Sequence, residues 1–128
     1  MKKISVIFFI LFFISTHTLA EVYYCTDQSR TGFLTANNFK STNFKLQRFT
    51  VDIDLVNLDI TSDDLFFVEP LKHTCHMDRS TNSFNCMNKW GTVFSYNTIS
   101  KRYFLGFIFN KTELTDDNSI STGQCEKF

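Results

Sequence analysis

Strict alternation of apolar and polar residues marks one strand most clearly. From Phe49 to Leu55 the apolar residues fall on one face and the polar residues on the other, which is the period-two pattern of a half-buried β-strand. The phase slips by one residue at Val56, after which Val56, Leu58 and Ile60 carry the apolar side. Such a slip indicates either a β-bulge or a turn between two strands.

Similar short runs, separated by turn residues, predict the other strands. They are residues 22–26, 65–68, 72–78, 83–88, 92–96, 102–109 and 119–126. Roughly eight or nine short strands are typical of a small all-β barrel or sandwich, and we predict an antiparallel meander that closes toward a barrel. Residues 103–109 are apolar on both faces and predict a central strand. Residues 35–43 are predicted to be a loop, with room for one helical turn.

The composition favours the same fold class. After Ala20 the chain contains one alanine, Ala36, while Thr, Asn, Ser and Phe are abundant. It is therefore poor in the strongest helix former and rich in residues that suit strands and turns. The many phenylalanines predict a core filled by its own side chains, with a ligand-holding cavity as the alternative. No internal repeat or linker divides the chain, so residues 21–128 are predicted to form a single all-β domain.

The first twenty residues have the three parts of a secretory signal peptide. Two lysines form the positive start, residues 4–14 form an apolar run, and small residues precede Glu21. The alternative is an uncleaved anchor, which needs about 20 apolar residues, whereas this run is interrupted from Ser15 onward. We therefore expect cleavage between Ala20 and Glu21, a periplasmic or extracellular location, and no membrane span in the mature chain.

Four cysteines follow this segment, and an even number in a short exported chain predicts a disulfide framework with three possible connectivities. Between Cys75 and Cys86 the chain is polar in the middle. An even-numbered hairpin loop, at either residues 80–81 or residues 79–82, would place these two cysteines directly opposite each other. Cys25 and Cys125 lie near the two mature termini and would tie the first strand to the last. We predict the pairs Cys75–Cys86 and Cys25–Cys125.

Two histidines beside the predicted hairpin raise the question of a metal site. His73 and Cys75 share a strand face, His76 points the other way, and with Cys86 opposite they could be drawn as a zinc site. The spacing matches no short paired zinc motif, and oxidised cysteines do not ligate a metal. We therefore predict a disulfide with two surface histidines beside it, and no metal site.

Aspartates cluster in and after the alternating strand. Asp52 and Asp54 share one face, with Asp59, Asp63 and Asp64 nearby, and paired carboxylates can perform acid–base chemistry or bind calcium. Alternating Asp is also typical of the solvated face of a sheet, and the sequence has no glycine-bearing calcium loop, so the solvated face is our prediction. The sequence contains no nucleophile elbow, phosphate-binding glycine loop or HExxH motif. We predict no catalytic residue and no cofactor.

The charge balance bears on the class of partner. The full chain has 13 Lys+Arg and 13 Asp+Glu, and cleavage would remove Lys2 and Lys3 to leave a net charge of −2. There is no basic excess of the kind that attracts nucleic acid.

Residues 110–112 match a glycosylation sequon, which matters only in a eukaryotic secretory pathway.

Several strings along the mature chain can be compared with known families. They are Tyr23-Tyr24-Cys25, Gly32-Phe33, residues 44–54, Cys86, residues 91–94 and residues 123–128. Together they resemble a family of small exported bacterial proteins of unknown function, which implies no role for any residue. Tyr23-Tyr24-Cys25 is also similar to the Tyr-x-Cys string near the mature N-terminus of periplasmic lysozyme inhibitors. That resemblance implies a small disulfide-tied β-barrel, although the inhibitors' later loop motif has no counterpart here.

We therefore expect an exported, non-enzymatic binding module for a small apolar ligand or an envelope component. The alternative is a protein–protein inhibitor of a hydrolase such as lysozyme, which would need a protruding loop, with residues 35–43 or 110–118 as candidates. An enzyme would need polar side chains that converge in a cleft. These hypotheses differ in whether Trp90, Tyr96 and Tyr103 are buried or line a pocket.

Overall fold

The computed structural model describes residues 20–34, 38–62, 73–107 and 118–128. Within these ranges every regular element is a β-strand. The nine strands are β1 (Glu21–Leu34), β2 (Lys40–Asn43), β3 (Arg48–Asp54), β4 (Asp59–Ser62), β5 (His73–Asp78), β6 (Ser83–Asn88), β7 (Thr92–Asn97), β8 (Arg102–Phe107) and β9 (Asn118–Lys127). The all-β prediction is confirmed. Residues 1–19 of the predicted signal peptide and the predicted strand 65–68 lie outside the described residues.

The strands form one antiparallel sheet that curves nearly into a closed barrel. Its order is β4-β3-β1-β9-β8-β7-β6-β5, and β2 pairs with the far end of β1 beside this path. The first and last strands, β1 and β9, therefore lie next to each other. The described parts of β4 and β5 form no backbone ladder. Across this seam Asp59 Oδ1 and His73 Nε2 lie 2.7 Å apart.

A β-bulge allows β1 to run for 14 residues. The pairing with β9 shifts between Asp27 and Ser29, so Gln28 has no partner on that strand. One extra residue exchanges the inward and outward positions that follow it. Gly32 is accordingly buried, whereas Phe33 has 47% of its surface exposed.

Two expectations about the strands are corrected, and one alternative that the sequence left open is resolved. The first strand continues well past residue 26, because the bulge preserves its pairing after the alternation fails. Residues 35–43 were predicted to be a loop, but β2 occupies the end of that range and pairs with β1. The phase slip at Val56 is a turn over residues 55–58 rather than a bulge, and Leu58 adopts a positive φ of 54° there. Val56 and Leu58 are consequently exposed instead of carrying an apolar face.

Aromatic and aliphatic side chains pack together inside the barrel. The buried hydrophobic residues are Tyr23, Cys25, Phe49, Val51, Ile53, Ile60, Phe84, Cys86, Phe94, Tyr96, Tyr103, Leu105 and Cys125. The ring centroids of Tyr23 and Tyr96 are 5.2 Å apart, and those of Phe49 and Tyr103 are 5.3 Å apart. These separations are in the range of favourable aromatic pairs.

One carboxylate is buried among these rings and is fully partnered. Asp27 accepts a hydrogen bond from the Tyr103 hydroxyl and another, 2.9 Å long, from the backbone N–H of Gln47. Burial of the Tyr103 phenol raises its pKa, and its hydrogen bond to Asp27 raises that pKa further. Gly123 lies opposite both Asp27 and Tyr103, and a Cβ atom there would lie 2.8 Å from the Tyr103 ring and 2.0 Å from the Thr26 carbonyl oxygen. The ring and the close strand pairing therefore both require glycine at position 123.

Both predicted disulfides are confirmed. Cys25 pairs with Cys125 across β1 and β9, and Cys75 pairs with Cys86 across β5 and β6. Each bridge joins residues that face each other in the ladder. The loop of the β5–β6 hairpin comprises residues 79–82, one of the two even-numbered loops that the sequence favoured.

Candidate functional site

The outer face of the β1–β9 pair changes character beyond the bulge. There Thr31 lies opposite Ile120 of β9, and Phe33 lies opposite Asn118. On the other side of β1, Phe33 lies opposite Ser41 of β2. Phe33 and Ile120 point outward, with 47% and 45% of their surfaces exposed. This part of the barrel therefore presents apolar side chains to solvent next to small polar ones.

A cleft of about 500 Å³ lies at this position. Its lining residues come from β1, β2, β8 and β9: Thr31, Gly32, Phe33, Ser41, Phe107, Asn118, Ser119 and Ile120. Three of these side chains are apolar, four carry neutral hydroxyl or amide groups, and none is charged. Small-molecule sites have volumes of about 300–1,000 Å³ and are mostly apolar with a few polar groups. The cleft meets both criteria.

Gly32 brings the two strands together at this cleft. A Cβ atom at position 32 would lie 1.9 Å from the carbonyl oxygen of Asn118 and 2.8 Å from the Cα atom of Ser119. Any side chain would force the backbones of β1 and β9 apart. The glycine thus fixes the spacing of the two strands whose outward residues form the wall.

The row of outward residues that leads away from the cleft is also uncharged. Met87, Val93, Gly106 and Ile120 face one another in succession across β6, β7, β8 and β9. Met87 is 57% exposed. An apolar molecule approaching from this side meets no charged side chain in the row.

The residues that suggested zinc are separated by the barrel wall and by the disulfide. Cys75 and Cys86 are bonded to each other, and His76 is exposed on the outer face. His73 contacts Asp59 at the seam between β4 and β5. In the described part of the chain, no three His, Cys, Asp or Glu side chains converge as a metal site would require.

The predicted aspartate cluster divides into separate structural roles. Asp52 and Asp54 share the outer face of β3, half-buried. Asp54 accepts hydrogen bonds from the backbone N–H groups of Val56 and Asn57 and from the Asn57 side chain, and these bonds lower its pKa. It therefore organises the β3–β4 turn. Asp59 contacts His73 instead, and the predicted members 63 and 64 lie outside the described residues.

The aromatic residues that were expected to discriminate between hypotheses are not in the cleft. Tyr96 and Tyr103 are buried in the core at 0% and 3% exposure. Trp90 is half-buried in the β6–β7 turn, where its backbone N–H donates to Asn88 Oδ1 and Lys89 Nζ lies 5.2 Å from its ring centroid. Of the candidate inhibitory loops, residues 35–37 and 110–117 lie outside the described ranges.

The cleft residues were not identified from the sequence, and the bulge explains why. Alternation extended from Cys25 and Asp27 would place Thr31 and Phe33 inside the barrel. The unpaired Gln28 exchanges the faces, so both are outside. The only local signal was a glycine, Gly32, within a run that otherwise suits a strand, which is where bulges and close backbone approaches occur.

Comparisons with protein-family models, with curated proteins and with solved structures find no match. The described residues contain no helix long and apolar enough to cross a membrane.

Proposed function

We propose that this protein is an exported, non-enzymatic binding module whose cleft at β1, β2, β8 and β9 holds a small apolar molecule with a neutral polar group. The observation that supports this proposal is the concentration of exposed apolar surface, at Phe33 and Ile120, in an uncharged concavity of about 500 Å³. Export is supported by two disulfides, which persist in oxidising compartments.

The cleft has the chemistry for such a ligand. Phe33, Phe107 and Ile120 offer apolar contacts, and each apolar group that leaves water contributes to affinity. The exposed Ser41 hydroxyl provides a neutral polar contact in the same lining. An ionised head group would lose its hydration there without meeting a cation in the lining, and that loss is costly. We therefore expect a neutral alcohol to bind better than the matching carboxylate.

The test measures the melting temperature of the mature protein with dodecanol and with dodecanoate. Mass spectrometry checks beforehand that the mature protein begins at Glu21. A ligand that binds the folded state alone raises the melting temperature with concentration. Dodecanol should produce this rise, and dodecanoate should produce a smaller one. The double variant Phe33→Ser with Ile120→Ser should lose the response while folding normally, because both side chains are substantially exposed.

The control removes two other exposed apolar side chains. Val56 and Ile99 are 67% and 71% exposed in other turns, so Val56→Ser with Ile99→Ser should retain the dodecanol response. A double cleft variant that responds like the wild type would refute the assignment of the cleft. So would a control variant that loses the response equally.

A further inference from the structure

Strands β1 and β9 also form a second groove, which is polar and lies on the N-terminal side of the β1 bulge. Tyr24 lies opposite Glu126, and Thr26 lies opposite Gln124. Together with Gln28 they line a groove of about 240 Å³. Four of the five lining side chains are neutral polar groups and the fifth is a carboxylate. We call this set of five residues the polar groove.

The bulge extends the polar groove by one side chain. Gln28 is exposed and has no partner on β9, because Asp27 pairs with Gly123 and Ser29 with Thr122. Bulges redirect side chains and occur frequently beside functional sites. Here the extra residue places an amide in line with Tyr24 and Thr26 along the groove.

The side chains that line the groove make no hydrogen bonds to one another or to other described residues. Carboxylates elsewhere are consistently partnered. Glu21 is bonded by Tyr23 and Lys127, and Asp54 by its own turn. Among the side-chain carboxylates of the described residues, Glu126 alone accepts no hydrogen bond from another described residue. The Tyr24 ring is held by an edge contact with Phe128, with centroids 6.2 Å apart.

From this arrangement we propose that the polar groove binds one sugar ring of a neutral glycan. An aromatic ring such as Tyr24 can pack against the apolar C–H face of a sugar. The Gln28 and Gln124 amides both donate and accept, and the Glu126 carboxylate can accept from two hydroxyls at once. The groove is smaller than the usual range for drug-sized ligands, about 300–1,000 Å³, which favours a single ring.

Other ligand classes fit the groove less well. A phosphate or carboxylate would face the Glu126 carboxylate inside the groove, whereas Arg48 and Arg102, opposite Thr26 and Gln124, lie on the neighbouring strands outside the groove lining. An extended peptide could not add to the sheet here, because β1 and β9 already have neighbours on both sides. A purely apolar molecule would strip water from two amides without replacing their hydrogen bonds. The proposal does not depend on the apolar cleft, which lies beyond the bulge on the same strands.

The experiment titrates the isotope-labelled mature protein with neutral oligosaccharides of N-acetylglucosamine, glucose or galactose and follows amide NMR signals. At least one should shift the side-chain amides of Gln28 and Gln124 and the backbone signal of Glu126. Tyr24→Ala and Gln124→Ala should each weaken that binding about tenfold, as expected for loss of one important contact. Gln47→Ala, at an exposed glutamine outside the groove, is the matched control and should bind normally.

Three outcomes would overturn the proposal. They are an absence of shifts with every neutral oligosaccharide, shifts that map to residues outside the groove, and stronger binding of an acidic glycan such as sialyllactose. The dodecanol response is measured on the same groove variants. It should be unchanged by Tyr24→Ala, so that failure of the glycan site and failure of the apolar cleft can be distinguished.

Discussion

The Cys25–Cys125 and Cys75–Cys86 bridges each connect residues that face each other across two antiparallel strands, with Cα atoms 4.0 and 4.1 Å apart. They differ in what lies between the joined residues. The first bridge spans 100 positions of sequence and is completely buried, whereas the second spans 11 and leaves Cys75 partly exposed. One closes the fold, and the other reinforces a hairpin.

The surroundings of the two bridges show the same difference. The β5–β6 hairpin has local support, because Asp78 accepts hydrogen bonds from the backbone N–H and the hydroxyl of Ser80 in its turn. Hydrogen bonds from Ser80, together with those from Thr81, lower the pKa of Asp78 to about 2. The β1–β9 pair has no connecting turn and depends on tertiary contacts, including the buried bond between Asp27 and Tyr103. Pairing of distant segments carries a large loop-closure cost, so the first bridge has more to offset.

The largest predicted effect comes from removing each bridge separately. In the chain-entropy model a loop of about 100 residues is worth about 4.7 kcal/mol and one of about 15 residues about 3 kcal/mol. Replacing Cys25 and Cys125 by Ala should therefore lower the free energy of unfolding by about 1.7 kcal/mol more than replacing Cys75 and Cys86. Urea denaturation of both double variants measures this difference.

Chemical reduction of the wild type is the control for the cysteine-to-alanine substitutions. Reduction should destabilise the protein at least as much as the Cys25 and Cys125 replacement does, because both bridges are then lost. Equal stability of the two double variants would contradict the distinction between a closing and a reinforcing bridge.

A smaller effect is expected at the buried hydrogen bond beside the closing bridge. Tyr103→Phe leaves one oxygen of the buried Asp27 carboxylate without its donor, which should cost about 1–3 kcal/mol at neutral pH. Ser80→Ala, which removes the exposed hydroxyl bonded to Asp78 in the hairpin turn, should cost less. Thermal melting of the two variants compares the two regions directly.

The pH dependence of the free energy of unfolding tests the contribution of the Tyr103 hydroxyl separately from the packing of its ring. Its pKa is raised above the ordinary value of 10.0, so the folded state holds the proton more tightly than the unfolded state. This contribution is fully present below about pH 10 and is lost as the pH rises further. Burial also raises the pKa values of Tyr23 and Tyr96, so a decline should persist in Tyr103→Phe with a shallower slope. An unchanged slope would show that Tyr103 is not buried as described.

The contrast between local and distant pairing also explains how much of the fold could be predicted. The β5–β6 hairpin was located almost completely, because its polar loop and its opposed cysteines are close in sequence. The bounds of β6 agree with the prediction at both ends. The Cys25–Cys125 pair was also correct, but it followed from the position of the two cysteines near the termini and not from any local pattern.

What could not be predicted depends on the pairing partner of each strand. Residues 40–43 are all polar and give no alternation, so only their pairing with β1 makes them a strand. The bulge at Gln28 is visible only in the register with β9, and it decides which residues face outward beyond it. Both candidate sites adjoin that bulge. The sequence therefore did not identify the residues of either site, because the effect of the bulge on which residues share a face is seen only in the pairing of β1 with β9.

The smallest predicted effect concerns the outer face of the sheet beside β1, where substitutions should change the free energy of unfolding little. Asp52 lies opposite Val22 of β1 but faces outward, and the hydrogen bond that it accepts from the Thr61 hydroxyl is long, at 3.5 Å. Asp52→Asn should change the free energy of unfolding by less than about 0.5 kcal/mol, as is usual for surface substitutions. Asp54→Ala on the same face should cost more, because it removes the acceptor that organises the β3–β4 turn. Denaturation with and without calcium measures both variants. A loss of several kcal/mol at Asp52, or a melting temperature that rises with calcium, would mean that the outer face of β3 carries a site of its own.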